Sequence, residues 1–143
     1  MEEKKDKQGP EAEGSKEKNT SNVTVSEFMS PDFATVSETS NLRTAIKIML
    51  NQKVSGLPVV NASNFLVGVI SEKDLLISAS SSSLDNPIKF CKTPNTLKTN
   101  TTYKEALLKM LKLNHKWLPV IDENKKILGL VTRAGLLKFL LEN

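Results

Sequence analysis

The 143 residues carry 20 Lys and Arg against 16 Asp and Glu, a formal net charge of +4, with one cysteine, one histidine and one tryptophan. A lone Cys91 excludes an intramolecular disulfide, and without a CxxC pair or a Cys/His cluster there is no basis for a structural zinc or iron–sulfur site. No apolar run approaches the ~20 residues of a membrane span, and residues 1–7 are charged where a signal peptide turns apolar, so the sequence predicts a soluble, cytoplasmic protein with no membrane partner.

Residues 1–22 are rich in Glu, Lys, Gly, Ser and Asn, contain no aromatic side chain and only Thr20 as a β-branched one. Such a segment has nothing to bury against the entropy of ordering it, and it is predicted to be a disordered charged tail. From residue 23 the pattern changes. Ala34-Thr35-Val36 is a short β-prone run, and Leu42, Ala45, Ile46, Met49 and Leu50 then recur at helical spacing, predicting a helix that starts near Asn41. Leu57 to Val60 and Phe65 to Ile70 read as a hairpin joined through residues 61–64, followed by a closing helix after Ser71. Residues 80–87, opening on four serines and ending Asp85-Asn86-Pro87, read as a linker.

The second unit, 88–143, repeats the first, 23–79, at an offset of 61 without a gap. Leu57-Pro58-Val59-Val60 returns as Leu118-Pro119-Val120-Ile121, Thr35 as Thr96, Ala45 as Ala106, Met49-Leu50 as Met110-Leu111, Gly68 as Gly129 and Leu75-Leu76 as Leu136-Leu137. The helical stripe recurs as Tyr103, Ala106, Leu107, Met110 and Leu111, with Thr102 and Glu105 at capping-box spacing. Each unit is therefore β-α-β-β-α, an α/β (α+β) arrangement, and Pro58 and Pro119, which lack an amide donor, are expected at a strand start or edge. Charge is uneven along the chain: −1 over 1–22, −2 over 23–87 and +7 over 88–143. A basic third attracts anions, but it has no Arg clusters or interleaved aromatics, so a solvated lysine surface is expected rather than a nucleic-acid interface.

These residues resemble the cystathionine β-synthase (CBS) domain, and the tandem resembles a Bateman module. The motifs are Met29-Ser30-Pro31-Asp32-Phe33-Ala34-Thr35-Val36, Gly56-Leu57-Pro58-Val59-Val60, and Gly68-Val69-Ile70-Ser71-Glu72-Lys73-Asp74-Leu75, the last being the family's G-h-x-[S/T]-x-x-D pattern. The resemblance covers about residues 24–141 and implies two repeats packed about a pseudo-two-fold, usually dimerised through their helices. It further implies two clefts that in many members hold AMP, ADP, ATP or S-adenosylmethionine, with or without magnesium, and regulation of a partner protein. The chain is expected to be a stand-alone homodimeric module of this kind.

In the first unit, Ser71 at a strand-to-helix junction would set a hydroxyl beside free amides and the positive end of a helix, which favours phosphate. Asp74, one turn on, would accept from both hydroxyls of a ribose. The same two residues could instead only cap the helix and complement its dipole. The second unit keeps the hydroxyl as Thr132 but has Gly135 in place of Asp74, so one good cleft is expected; Arg133 there is a candidate phosphate contact or a solvated arginine. The resemblance adds Thr35 as a base contact, Gly56, Leu57 and Pro58 as cleft-lining positions and Lys116 as a phosphate contact. His115 reads more readily as a helix C-terminal residue, and Trp117, aligned with Gly56, as packing or as a cleft cover. No P-loop or GxGxxG run is present, the single His and Cys lack an acidic partner at motif spacing, and no enzymatic activity or required cofactor is expected. The alternative function is a ligand-free dimeric scaffold.

Overall fold

The computed structural model describes residues 22–143. The tail expected over 1–22 thus lies, apart from Asn22, outside the described residues. A short 3-10 turn, Val25–Glu27, precedes β1 (Val36–Ser37), α1 (Leu42–Gln52), β2 (Gly56–Val60), β3 (Leu66–Ser71) and α2 (Glu72–Ala79). The second unit follows as β4 (Leu97–Lys98), α3 (Tyr103–Leu113), β5 (Trp117–Ile121), β6 (Ile127–Thr132) and α4 (Arg133–Glu142). Two three-stranded sheets result, β1-β2-β3 and β4-β5-β6, each with one parallel and one antiparallel pairing. The offset of 61 holds down to the backbone. Lys53 and Asn114, which end α1 and α3, are both left-handed at φ 56°, and Asn64 and Lys125 in the two hairpin loops lie at φ 70° and 69°.

Caps fix the helix starts. Asn41, Ser71, Thr102 and Thr132 each accept from the amide three residues on, which satisfies one of the donors a helix leaves unpaired at its beginning. Leu42, Ala45 and Met49 bury one stripe of α1, and Tyr103, Ala106 and Met110 the matching stripe of α3. The stripes are narrower than the sequence predicts: Leu50 and Leu111, counted as their last members, are 72% and 60% exposed.

The two cores do not divide where the chain divides. Val25 belongs to the buried cluster of the second unit, with Val23, Phe28 and Met29 packed against it. Ile88 in turn belongs to the cluster of the first unit, with Leu84 and Phe90 beside it. The segment leading into each repeat therefore crosses to the other. Ser30 bridges Leu130 on β6, and Cys91, its counterpart, bridges Val69 on β3. Backbone donors follow the same exchange, since the Tyr103 amide donates to Val23 O at 2.7 Å and the Leu42 amide to Asn86 O at 3.0 Å. The serine-rich stretch is accordingly tied down at its far end, where Leu84 O accepts from the Arg43 amide and Asp85 pairs with the Arg43 guanidinium at 3.3 Å. A third cluster, Val60, Leu66 and Ile127, joins the two sheets.

Two expectations about strands need correction. Ala34 and Thr35 are not in β1, which is only Val36–Ser37. Pro58 and Pro119 sit at the third of five strand residues, not at a start. They are tolerated there because Val69 and Leu130, their partners in β3 and β6, turn their own backbone groups outward to Cys91 and Ser30. Each proline nitrogen thus faces the opposite side, where the short β1 or β4 begins only one residue later.

Candidate functional site

The exchange of lead segments makes a cleft from both repeats. One wall is the end of β3 and the start of α2, Val69 to Glu72 with Asp74; the facing wall is the lead segment of the second repeat, Cys91, Thr93, Pro94 and Asn95. Ser55 and Gly56 and, beside them, Asn114 to Pro119 complete the lining. The space is about 460 Å³, within the range of small-ligand sites.

At its base Ser71 and Asp74 form a reciprocal capping box. The Asp74 amide donates to Ser71 Oγ at 3.1 Å, and the Ser71 amide donates to Asp74 Oδ2 at 2.9 Å. Both residues are half-buried. Fewer amides are free at this helix end than expected, because the Glu72 amide is also taken, by Ser55 O at 3.0 Å, while the Lys73 amide has no partner among the described residues. Oδ1 of Asp74 finds no protein partner among the described residues, so the carboxylate keeps an acceptor for a ligand while it caps α2. The capping and ligand readings of this pair are compatible, since each uses a different oxygen.

On the far rim, Asn95 Nδ2 donates to His115 Nε2 at 3.1 Å, fixing the lead segment of the second repeat to the end of α3. His115 is therefore more than a dipole partner. Lys116 is exposed on the same rim. Arg133 Nε donates to His115 O at 3.0 Å and its Nη2 to Asn114 Oδ1 at 2.9 Å. Two of its N–H groups thus hold the end of α3, and the side chain does not line this cleft.

Residues 25–80 and 88–142 each match the CBS domain. The chain belongs to the CBS domain family. It is 31% identical over 112 residues to a homoserine O-acetyltransferase of Methanosalsum zhilinae, covering 77% of this chain and 22% of that protein. The chain spans only about a quarter of the length of further homoserine O-acetyltransferases that it matches. Similarity to the chloroplastic CBS domain-containing protein CBSX2 of Arabidopsis thaliana is 26% over 152 residues, 83% of this chain and 64% of that one. A crystal structure of CBSX2 in complex with AMP superposes with a TM-score of 0.73 at 26% identity, over 84% of this chain and 97% of that chain. Another of CBSX2 gives 0.76 at 25% identity, over 85% and 96%.

Of the CBS positions singled out in the sequence, Ser71, Asp74, Gly56 and Lys116 come together on this cleft. Leu57 and Pro58 are buried in β2 and do not line it. Thr35 does not line it either, because the lead segment that carries it runs beside β6 through Ser30 and Leu130, nor does Thr132, which caps α4 in the other repeat. The positions facing Ser71 and Asp74 are Cys91, Thr93, Pro94 and Asn95, which the sequence reading did not select. One signal for them lay in Gly68. A Cβ there would collide with Cys91 O and the Phe90 ring, so a glycine at that point of the motif marks where another stretch of backbone crosses.

Among the described residues no helix is long and apolar enough to cross a membrane, and no three His, Cys, Asp or Glu side chains are grouped to hold a metal ion.

Proposed function

We propose that this CBS pair is a regulatory module that binds an adenosine-containing nucleotide in the cleft of Ser71 and Asp74 and modulates a partner protein. The observation that carries the reading is the half-buried Asp74 carboxylate, oriented by its capping box with Oδ1 left over, at the base of a cleft sized for a nucleotide. Likeness to CBSX2, crystallised with AMP, supports the ligand class. Lys116 on the rim supplies the cation for a phosphate. Regulation then requires that the ligand bind two arrangements of the module unequally.

The module is a homodimer in this reading. Leu50 and Leu76 of the first repeat, and their counterparts Leu111 and Leu137 of the second, are exposed on the helices, with Ile77, Leu140 and Leu141 beside them. Exposed apolar side chains on all four helices suit an interface between copies.

The test is thermal stability against AMP, ADP, ATP and S-adenosylmethionine. A ligand at ~100 times its dissociation constant adds ~2.7 kcal/mol if it binds only the folded state. The scaffold reading draws on the same capping box, which gives Ser71 and Asp74 a structural task without any ligand. A flat response to all four compounds selects the scaffold.

A further inference from the structure

Of the cleft positions at which the two repeats differ, two bear on what this cleft can hold. Asp74 is matched by Gly135, and Gly56 by Trp117. The second pair meets in space. A Cβ on Gly56 would lie 2.9 Å from Trp117 Nε1, 3.0 Å from Cζ2 and 3.2 Å from Cε2. Gly56 does not have a positive φ, so its glycine is required by space and not by backbone conformation. The indole is therefore seated against the bare backbone of β2, reaching from the first residue of β5 to the equivalent first residue of β2 in the other repeat. Only one member of such a pair can be large.

Seated there, Trp117 is half-buried and lines the cleft that holds Ser71 and Asp74. A ring held between a glycine notch and open cleft space presents a flat apolar surface at little further cost in side-chain entropy. The same cleft holds the half-buried carboxylate suited to a ribose. We propose that Trp117 is the specificity-determining residue of this cleft, stacking the base of a nucleotide whose ribose is held by Asp74, and that the chain binds one such ligand. This rests on the nucleotide reading above and goes beyond it by assigning the base platform and the stoichiometry. The related arrangement in the other repeat has no carboxylate at the matching position, since it carries Gly135 there.

Trp117 is the single tryptophan of the chain, so intrinsic indole fluorescence reports on it alone. Full-length protein is titrated with AMP and with ribose 5-phosphate, read by fluorescence and by calorimetry, beside Trp117→Phe and Trp117→Leu. Leu keeps apolar bulk against Gly56 and removes the aromatic face; Phe keeps a ring and guards against misfolding of the other variant. The expected result is a changed indole emission on saturation with AMP, one AMP per chain, AMP affinity within about threefold of wild type for Trp117→Phe, and a loss of about tenfold for Trp117→Leu, the scale of base–aromatic stacking. Ribose 5-phosphate, which has no base, should bind both variants as it binds wild type. Equal AMP affinity in wild type and Trp117→Leu, or two AMP per chain, overturns this inference while leaving the nucleotide reading in place. Absence of binding of AMP, ADP, ATP and S-adenosylmethionine to wild type removes both.

Discussion

Gly68 of β3 lies directly beneath the carbonyl of Cys91, and the Phe90 ring covers the remaining space, so that no side chain fits between the first repeat and the lead segment of the second. Gly129 repeats the relationship under Ser30 O and Met29. These glycines let one repeat lay its backbone on the sheet of the other, and the 3.0 Å hydrogen bonds between Val69 and Cys91 depend on that approach.

Gly68→Ala should therefore lower stability by about 1–3 kcal/mol, the cost of overpacking a site bounded by backbone. It should also weaken nucleotide binding, because Cys91, Thr93 and Asn95 on the facing wall would be pushed away from Ser71. Chemical denaturation and calorimetry check the two effects. An unchanged denaturation midpoint would mean that the lead segment is free to lift from β3.

Asp74→Asn separates the two tasks of one carboxylate. The amide oxygen can still accept from the Ser71 amide, so stability should fall only by the ~0.3–1 kcal/mol of a lost charge at a helix N-terminus. Nucleotide affinity should drop about tenfold or more, since a hydrogen bond to a charged group contributes roughly 1.5–3 kcal/mol. Equal AMP affinity in the variant and wild type would confine Asp74 to the helix.

Gly135→Asp gives α4 the residue that completes the capping box of α2. Thr132 Oγ1 already accepts from the Gly135 amide at 2.9 Å, and a new Cβ would lie 3.1 Å from that hydroxyl. A gain of about 0.5–1 kcal/mol is expected from the added charge at the helix start and the lost glycine. Thermal unfolding measures it, and a lower midpoint would show that the Thr132 hydroxyl cannot give way.

Tyr103 is buried between Phe28 and Phe139, at ring centroid distances of 5.8 and 5.1 Å, and its hydroxyl has no partner among the described residues. Burial pushes its phenol above the ordinary 10.0. The folded state thus holds this proton more tightly than the unfolded one. Its contribution to stability is complete below pH 10 and is lost as pH rises from there through the folded value. Tyr103→Phe removes an unpaired buried hydroxyl and should raise stability by about 1 kcal/mol, while shrinking the alkaline loss. Denaturation curves on both sides of pH 10 test this, and a destabilised phenylalanine variant would mean that the hydroxyl has a partner.

Leu137 and Leu141, 68% and 88% exposed on α4, test the homodimer. The double change Leu137→Glu and Leu141→Glu should convert dimer to monomer in light scattering without altering the circular dichroism spectrum. A monomeric wild type would leave these leucines as ordinary exposed residues.

Much of this architecture is legible in a single repeat offset. The constant 61 places Asn41 and Thr102 at helix starts, pairs Leu57 with Leu118 in two hairpins, and makes Gly135 stand out against Asp74, because each of these signals is local in sequence. The contacts that cross between repeats are not legible in the same way. Val25, Met29 and Phe90 lie in stretches with no helical or strand period, and each lead segment joins its sheet through a single bridge. Thr35 illustrates this: a motif read along one repeat does not say which sheet its first residues join. The seat of Trp117 on Gly56 is not legible in the offset either, since equivalent positions meet only at the pseudo-dyad.

The crossed lead segments bear on what happens if the chain is cut. A break within the serine stretch leaves one fragment with Met29 and Ser30 seeking the edge of an absent β6, and another with Phe90 and Cys91 seeking an absent β3. Neither half can close its own core, since Val25 and Ile88 are each buried in the opposite one. Mixed together, the two fragments carry complementary edges and should reassemble into a nicked molecule with its cleft restored. A single fragment kept alone can only satisfy its exposed edge by pairing with another copy of itself.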